Sequence, residues 1–158
     1  MTPVTDALRA TPLVAGLSAE EIDTLSRIVH VRDLVDGEVL VAEGALDSKL
    51  HVVLHGRIEV VRHGEHGRHV LQSLGPGDLA GELSFMDDAP RFAALVASGA
   101  TEVLALDRVD FETLIDPSPR VVYKVMRSIM HAARAVQRRL SLQMRDLENY
   151  LYRTGGRN

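Results

Sequence analysis

Apolar residues along the chain change their period twice, dividing it into a short helical start, a strand-rich middle and a long helical end. Near the start, Ile22, Leu25 and Ile28 with Val29 recur at helical spacing. They follow Ser18-Ala19-Glu20-Glu21, a capping-box pattern in which the Ser18 hydroxyl accepts from a free helix amide while Glu21 reaches back. From Val31 to Asp107 the pattern becomes short runs of Val, Leu and Ile, punctuated by glycines at 37, 44, 56, 64, 67, 75, 77 and 81. Strands are predicted over residues 39–41, 50–54, 58–61, 70–74, 93–97 and 103–106. Turn signals this regular favour a sandwich or barrel, because closing or doubling a sheet protects the edges that short strands leave open.

One segment fits neither period. After Gly75-Pro76-Gly77-Asp78, residues 82–87 are predicted to form a short helix behind Gly81, and Pro90 stops it. Beyond Leu106, residues 108–115 read as another short helix, Asp116-Pro117-Ser118-Pro119 as a break, and the remainder as one helix running to about Arg153. That helix carries a seam at Val122, Met126, Ile129, Ala133, Val136, Leu140, Gln143, Leu147 and Tyr150, apolar but for Gln143. A strict seven-residue repeat favours a left-handed coiled coil, and at ~1.5 Å per residue a helix of ~50 Å is too long for its own domain to bury. A parallel homodimer through this helix is therefore expected. The chain divides into an N-terminal helical segment (1–30), a strand-rich unit (31–107) and a hinge with the long helix (108–158).

A length of 158 residues with 46% hydrophobic composition suits one domain with its own core. The absence of cysteine excludes disulfides and thiolate chemistry and fits a reducing compartment. With no secretory signal pattern and no apolar run approaching the ~20 residues of a membrane span, a soluble, cytoplasmic protein is expected. The net charge of −4 is unevenly spread: nine basic residues face twenty acidic ones before Ser118, whereas nine face two from Ser118 onward. The basic end is either a solvated helix face or a contact for an acidic partner such as nucleic acid or an anionic membrane. His63, His66 and His69 fall at a glycine-rich hairpin tip, where polar residues belong in any case, so no metal site is expected. No nucleophile elbow, zinc-protease helix, P-loop or pair of catalytic carboxylates is present, so no enzymatic activity is expected.

The chemistry centres on Glu82 and Arg91. A short helix start offers backbone amides, Gly81 permits close approach, and Arg91 follows a proline that stiffens its loop. A guanidinium suits two phosphate oxygens and a carboxylate suits a pair of sugar hydroxyls, which together describe a phosphorylated sugar. The same two residues could instead form an internal ion pair that ties the loop down.

Gly81-Glu82-Leu83-Ser84 followed by Pro90-Arg91 resembles the phosphate-binding cassette of the cyclic nucleotide-binding domain family, which includes the catabolite activator protein, protein kinase A regulatory subunits and gated channels. Residues 37–44, Gly56, residues 75–78 and Phe111-Glu112-Thr113-Leu114 also fall where that family has them. The resemblance implies a mainly β fold, an eight-stranded jelly-roll (cupin-like) β-barrel with an N-terminal helix, a short cassette helix and a long C-terminal dimerisation helix. It implies that Glu82 accepts from the ribose 2′-hydroxyl, that Arg91 pairs with the cyclic phosphate, and that backbone amides around Leu83, Ser84 and Phe92 complete the anion site.

Two positions depart from the family pattern. Phe92 stands where Ala, Ser or Thr is common, and Ala94 where Thr or Ser is common, which leans toward cAMP over cGMP. Phe92 has three possible roles: core packing, stacking on the base, or filling the pocket. In activator-type relatives polar residues of the long helix reach the base, and counting without gaps from Arg91 the resemblance brings Gln137, flanked by Arg134 and Arg138, near the purine, where its amide can donate and accept at the base edge; otherwise it is a solvated helix residue. The expected function is a non-catalytic cyclic nucleotide receptor, of cAMP or else cGMP, that moves its C-terminal helices and acts on an effector protein. The alternatives are a dimeric scaffold with an occluded pocket and a basic-helix contact with nucleic acid or membrane. Activator-type relatives carry a helix-turn-helix after the long helix, whereas this chain ends at Asn158, so direct DNA reading is not expected.

Overall fold

The computed structural model describes residues 3–155, apart from the side chains of Val136, Leu140 and Thr154, so the seam positions Val136 and Leu140 lie outside the described side chains. Among the described residues the fold is mainly antiparallel β with helices before, within and after the sheet.

Helix α1 (Val4–Arg9), a 3-10 turn at Pro12–Val14 and helix α2 (Ala19–Ser26) precede the strands. The capping box at α2 is formed: Glu21 N donates to Ser18 Oγ at 3.2 Å and Ser18 N to Glu21 Oε1 at 2.9 Å. Helix α1 lies inside the expected helical segment but escaped separate notice, since only Ala7 and Leu8 are buried in it and no side chain caps it.

Six strands follow: β1 (Val29–Leu34), β2 (Val39–Val41), β3 (Lys49–Gly64), β4 (Gly67–Leu74), β5 (Leu79–Ala80) and β6 (Ala94–Asp107). Their hydrogen bonding gives the open order β1-β6-β3-β4, with β2 on β6 and β5 on β3. Six strands stand where eight were expected because β3 and β6 each run through a glycine that reads as a break. At Gly56 the β3–β6 register slips between Val53, His55 and Arg57, and the strand bends without ending. Gly56 has φ 82°, and its missing Cβ leaves room for the Ala100 carbonyl and Thr101 to pack against it.

Alternate residues of β3 serve two cores. Leu50, Val52 and Leu54 join Leu104 and Leu106 of β6 beneath the helices, whereas Val53 and Ile58 join Leu34, Leu74, Leu95 and Val103 on the other face. Helix α3 (Glu82–Asp87) occupies the predicted span between β5 and β6. Helix α4 (Arg108–Glu112) is shorter than the expected 108–115, because Thr113, Leu114 and Ile115 bond three residues back in tighter turns. Helix α5 (Pro119–Gly155) buries Val121, Val125, Ser128 and Ile129 and half-buries Val122 and Met126 on the first core, so the start of the seam packs on its own domain. Its described side chains from Arg134 onward are exposed. No helix among the described residues is long and apolar enough to cross a membrane.

Candidate functional site

The site is built where β5 hands over to α3. Gly81 takes the left-handed conformation, φ 82°, and its carbonyl accepts from Phe85 N at 2.9 Å to open the helix. Phe85 is fully buried against Phe111, ring centroids 5.6 Å apart, and pins α3 to the helical core. At the far end Asp88 is left-handed at φ 58° and pairs with Arg108 of α4. The chain then runs to Arg91, whose backbone is held on both sides by the β2–β3 loop: Arg91 N donates to Ala45 O at 2.9 Å and Gly44 N to Arg91 O at 2.8 Å.

The Arg91 side chain passes directly beneath Gly81. A Cβ on Gly81 would lie 2.6 Å from Arg91 Cζ and 2.7 Å from Nη2, so a side chain here would be strained by the left-handed backbone and would displace the guanidinium. Arg91 is 5% exposed. Its Nη2 donates to the Lys49 carbonyl and lies 3.8 Å from Asp47 Oδ1, while Nε is buried with no hydrogen-bond partner. Burial pulls the guanidinium below its ordinary pKa, opposed by the Asp47 and Glu82 carboxylates. Arginine remains charged in this setting, so a cation with one unsatisfied donor sits in the floor of the site. Its ion pair is with Asp47; Glu82 acts through the longer-range field, and the tie expected as the alternative is not the one formed. Asp47 was missed in the sequence, although a buried arginine calls for a counter-charge, because the loop supplying it lies more than forty residues upstream.

A cavity of about 200 Å³ opens here, lined by Gly81, Glu82, Leu83, Ser84, Arg91 and Phe92 on one side and by β-strand residues on the other. A second, of about 850 Å³, lies between α3 and α5 and takes Glu82 and Leu83 into its own wall, facing Tyr123, Met126, Met130, Arg134 and Gln137. The expected site residues thus fall into two groups: Arg91 with the start of α3 and Phe92, and Gln137 across the larger cavity. Pro90 is exposed and lines neither, and Arg138 faces only a groove along α5.

Phe92 is not part of the core. It is 64% exposed at the cavity rim, with Arg62 Cζ 4.0 Å above its ring, and Arg62 Nε is 3.5 Å from Glu43. The inward places are taken by Ala93 and Ala94 as β6 begins, which leaves the larger ring outside. The hairpin histidine His63 is 3.8 Å from the same Glu43, and no group of metal-binding residues occurs among the described residues.

His51 of β3 lies in the field of Asp47 and Arg91, 3% exposed, with Nδ1 unpartnered. Burial above all lowers its pKa from 6.5 to about 4, with Asp47 opposing and the charges of Arg91, Lys49 and Arg32 adding to the fall. The unfolded chain therefore binds this proton at a higher pH than the folded one. Stability is expected to decline as pH falls from 6.5 towards 4, by about 3 kcal/mol at the low end. His51→Phe should flatten that slope in urea unfolding at several pH values; an unchanged slope contradicts the assignment.

The family model for the cyclic nucleotide-binding domain matches residues 31–118. The Cyclic AMP receptor protein of Thermus thermophilus is 32% identical over 136 residues, covering 85% of this chain and 63% of that protein. The cAMP-dependent protein kinase regulatory subunit of Mycosarcoma maydis is 32% identical over 111 residues, 67% of this chain and 21% of the subunit. The chain thus spans less than two thirds of either relative. Among solved structures, a cyclic nucleotide-binding domain from Methylobacillus flagellatus KT superposes with a TM-score of 0.76 at 25% identity, covering 87% of this chain and 78% of that one. The Thermus thermophilus Catabolite Activator Protein gives 0.66 at 32% identity, over 85% and 63%. The matched span runs from β1 to the turn before α5 and contains Gly81, Glu82 and Arg91, so the chain that carries this buried arginine belongs to the cyclic nucleotide-binding domain family.

Proposed function

We propose that the protein is a non-catalytic receptor for a cyclic nucleotide, cAMP in the first instance, that converts binding into movement of its C-terminal helices. The observation that carries this is Arg91: a buried cation with an unpartnered Nε, packed under the left-handed Gly81, in the floor of a cavity that Glu82 also lines. A cyclic phosphate supplies acceptor oxygens for the unpartnered Arg91 Nε, the start of α3 supplies amides, and Glu82 is the acceptor for a ribose hydroxyl. The cAMP in the names of two relatives supports the choice of ligand. The eight strand segments obtained by dividing β3 and β6 at their bends support a jelly roll spanning 31–107, between a helical start and a hinged helical end. A cytoplasmic setting accords with the cysteine-free sequence.

The route outward runs through two contacts of the segment that holds Arg91: Phe85 on Phe111, and Asp88 with Arg108, both reaching α4 just before the turn into α5. Coupling requires that ligand favour one pose of these helices over another, since equal affinity for both would shift nothing. We assign the exposed end of α5, with Leu147, Tyr150 and Leu151, to a homodimer interface. Leu147→Asp is expected to yield monomers in sedimentation velocity; an unaltered sedimentation coefficient counts against that interface.

The receptor assignment is tested by calorimetric titration of nucleotide-stripped protein with cAMP and, in parallel, cGMP. Micromolar or tighter binding of either supports it and sets the selectivity. Silence from both overturns it and leaves a dimeric scaffold.

A further inference from the structure

The cavity above Arg91 is chemically divided. Its phosphate and sugar partners, Arg91, Glu82 and Ser84, all come from one side. The opposite wall is apolar, with Val60 of β3, Leu74 of β4 and Leu95 of β6, except for Gln72 of β4. Outside residues 81–91, Gln72 is the sole polar side chain lining the cavity among the described residues.

Three features make Gln72 more than a strand residue that happens to be polar. First, it stands two residues before Leu74 and so shares the inward face of β4, where alternation calls for an apolar residue. Second, it pairs with Val60 beside a register slip, where Val61 skips to Val70. Irregularities of this kind re-aim side chains next to sites. Third, Gln72 is half-buried, and its side-chain amide forms no hydrogen bond with any described residue. A half-buried carboxamide left without a protein partner has its donor and acceptor free for something that enters the cavity.

Building on the receptor reading, we propose that Gln72 reads the edge of the nucleotide's base and makes the site prefer adenine. The faces of a purine suit the apolar wall, but only a polar group can distinguish base edges. A carboxamide offers one donor and one acceptor side by side, which matches the N6 amino group and N7 of adenine. The equivalent edge of guanine presents two acceptors, O6 and N7, and an amide satisfies only one of them. Gln72 thereby supplies selectivity on the barrel side, independent of Gln137 across the second cavity.

The test compares wild type, Gln72→Leu and Gln72→Thr by calorimetric titration with cAMP, cGMP and cyclic purine riboside monophosphate, which lacks the 6-amino group. Wild type is expected to bind cAMP about tenfold more tightly than the analogue, the equivalent of about one hydrogen bond. In both variants that ratio should fall to near one, with affinity for the analogue falling less than affinity for cAMP, because the analogue loses only the bond to N7. The threonine variant keeps strand propensity and is too short to reach the base, so it guards against a folding defect in the leucine variant. A ratio that survives in both variants, or that is already near one in wild type, overturns the role of Gln72 while leaving the receptor reading intact. Absence of binding by wild type to all three ligands overturns both.

Discussion

Arg91→Ala is expected to weaken cAMP binding at least about a hundredfold while the protein stays folded. Among the described residues the guanidinium is the one cation lining the cavity, and a hydrogen bond to a charged group contributes about 1.5–3 kcal/mol, so losing two of them accounts for such a drop. The cost to the fold is smaller. Removing a buried charge also removes its desolvation penalty, and the stranded Asp47 keeps 21% of its side chain exposed for water to reach. Arg91→Lys retains the charge but not the planar fork, so it should fall between wild type and the alanine variant. The measurement is titration of each variant alongside its thermal melt. A folded alanine variant with wild-type affinity would remove Arg91 from the phosphate site.

Gly56→Ala is expected to be strongly destabilising. A left-handed non-glycine residue costs about 1–3 kcal/mol. At Gly56, φ 82°, the added Cβ would also lie 2.7 Å from Thr101 Oγ1 and 2.8 Å from Thr101 Cα, and closer still to the Ala100 carbonyl. These neighbours are backbone or tied to it, for Thr101 Oγ1 accepts from Arg57 N at 3.3 Å. Relief therefore requires β3 and β6 to move apart at the irregularity between their two paired stretches. A further ~1–3 kcal/mol follows from overpacking of this kind. Set against a typical total of about 5–15 kcal/mol, the loss should lower Tm by roughly 10 °C. Gly37→Ala is the control: its φ is 79° but nothing lies within 4 Å of the new methyl, so it carries the conformational cost alone. Equal melting temperatures for the two variants would show that the Gly56 contact does not matter.

These two positions also mark where sequence was and was not a sufficient guide. The helix behind Gly81 and the capping box at Ser18 were legible because both are local: the residues that stabilise each one lie within a few positions of each other. Gly56 was misread as a break because nothing nearby says whether the chain ends its strand or bends; the answer lies in Ala100 and Thr101 on another strand. Strand β1 went unseen for a similar reason. His30, Arg32 and Asp33 are exposed and hide its pairing with β6, which only the register Val29 to Leu106 reveals. At the site, Glu82 and Arg91 stood out as residue types in a loop with the right spacing. Asp47 and the exposed place of Phe92 did not, since each depends on which segment packs alongside.

Glu82 and Leu83 belong to the walls of both cavities. Any compound that wedges between α3 and α5 must therefore press on the same two side chains as a guest above Arg91. By thermodynamic reciprocity, the factor by which the wedge alters the guest's affinity equals the factor by which the guest alters the wedge's. A fragment screen against the methionine-lined cleft would thus double as a search for agonists and antagonists, sorted by whether each fragment binds better or worse once the other cavity is filled.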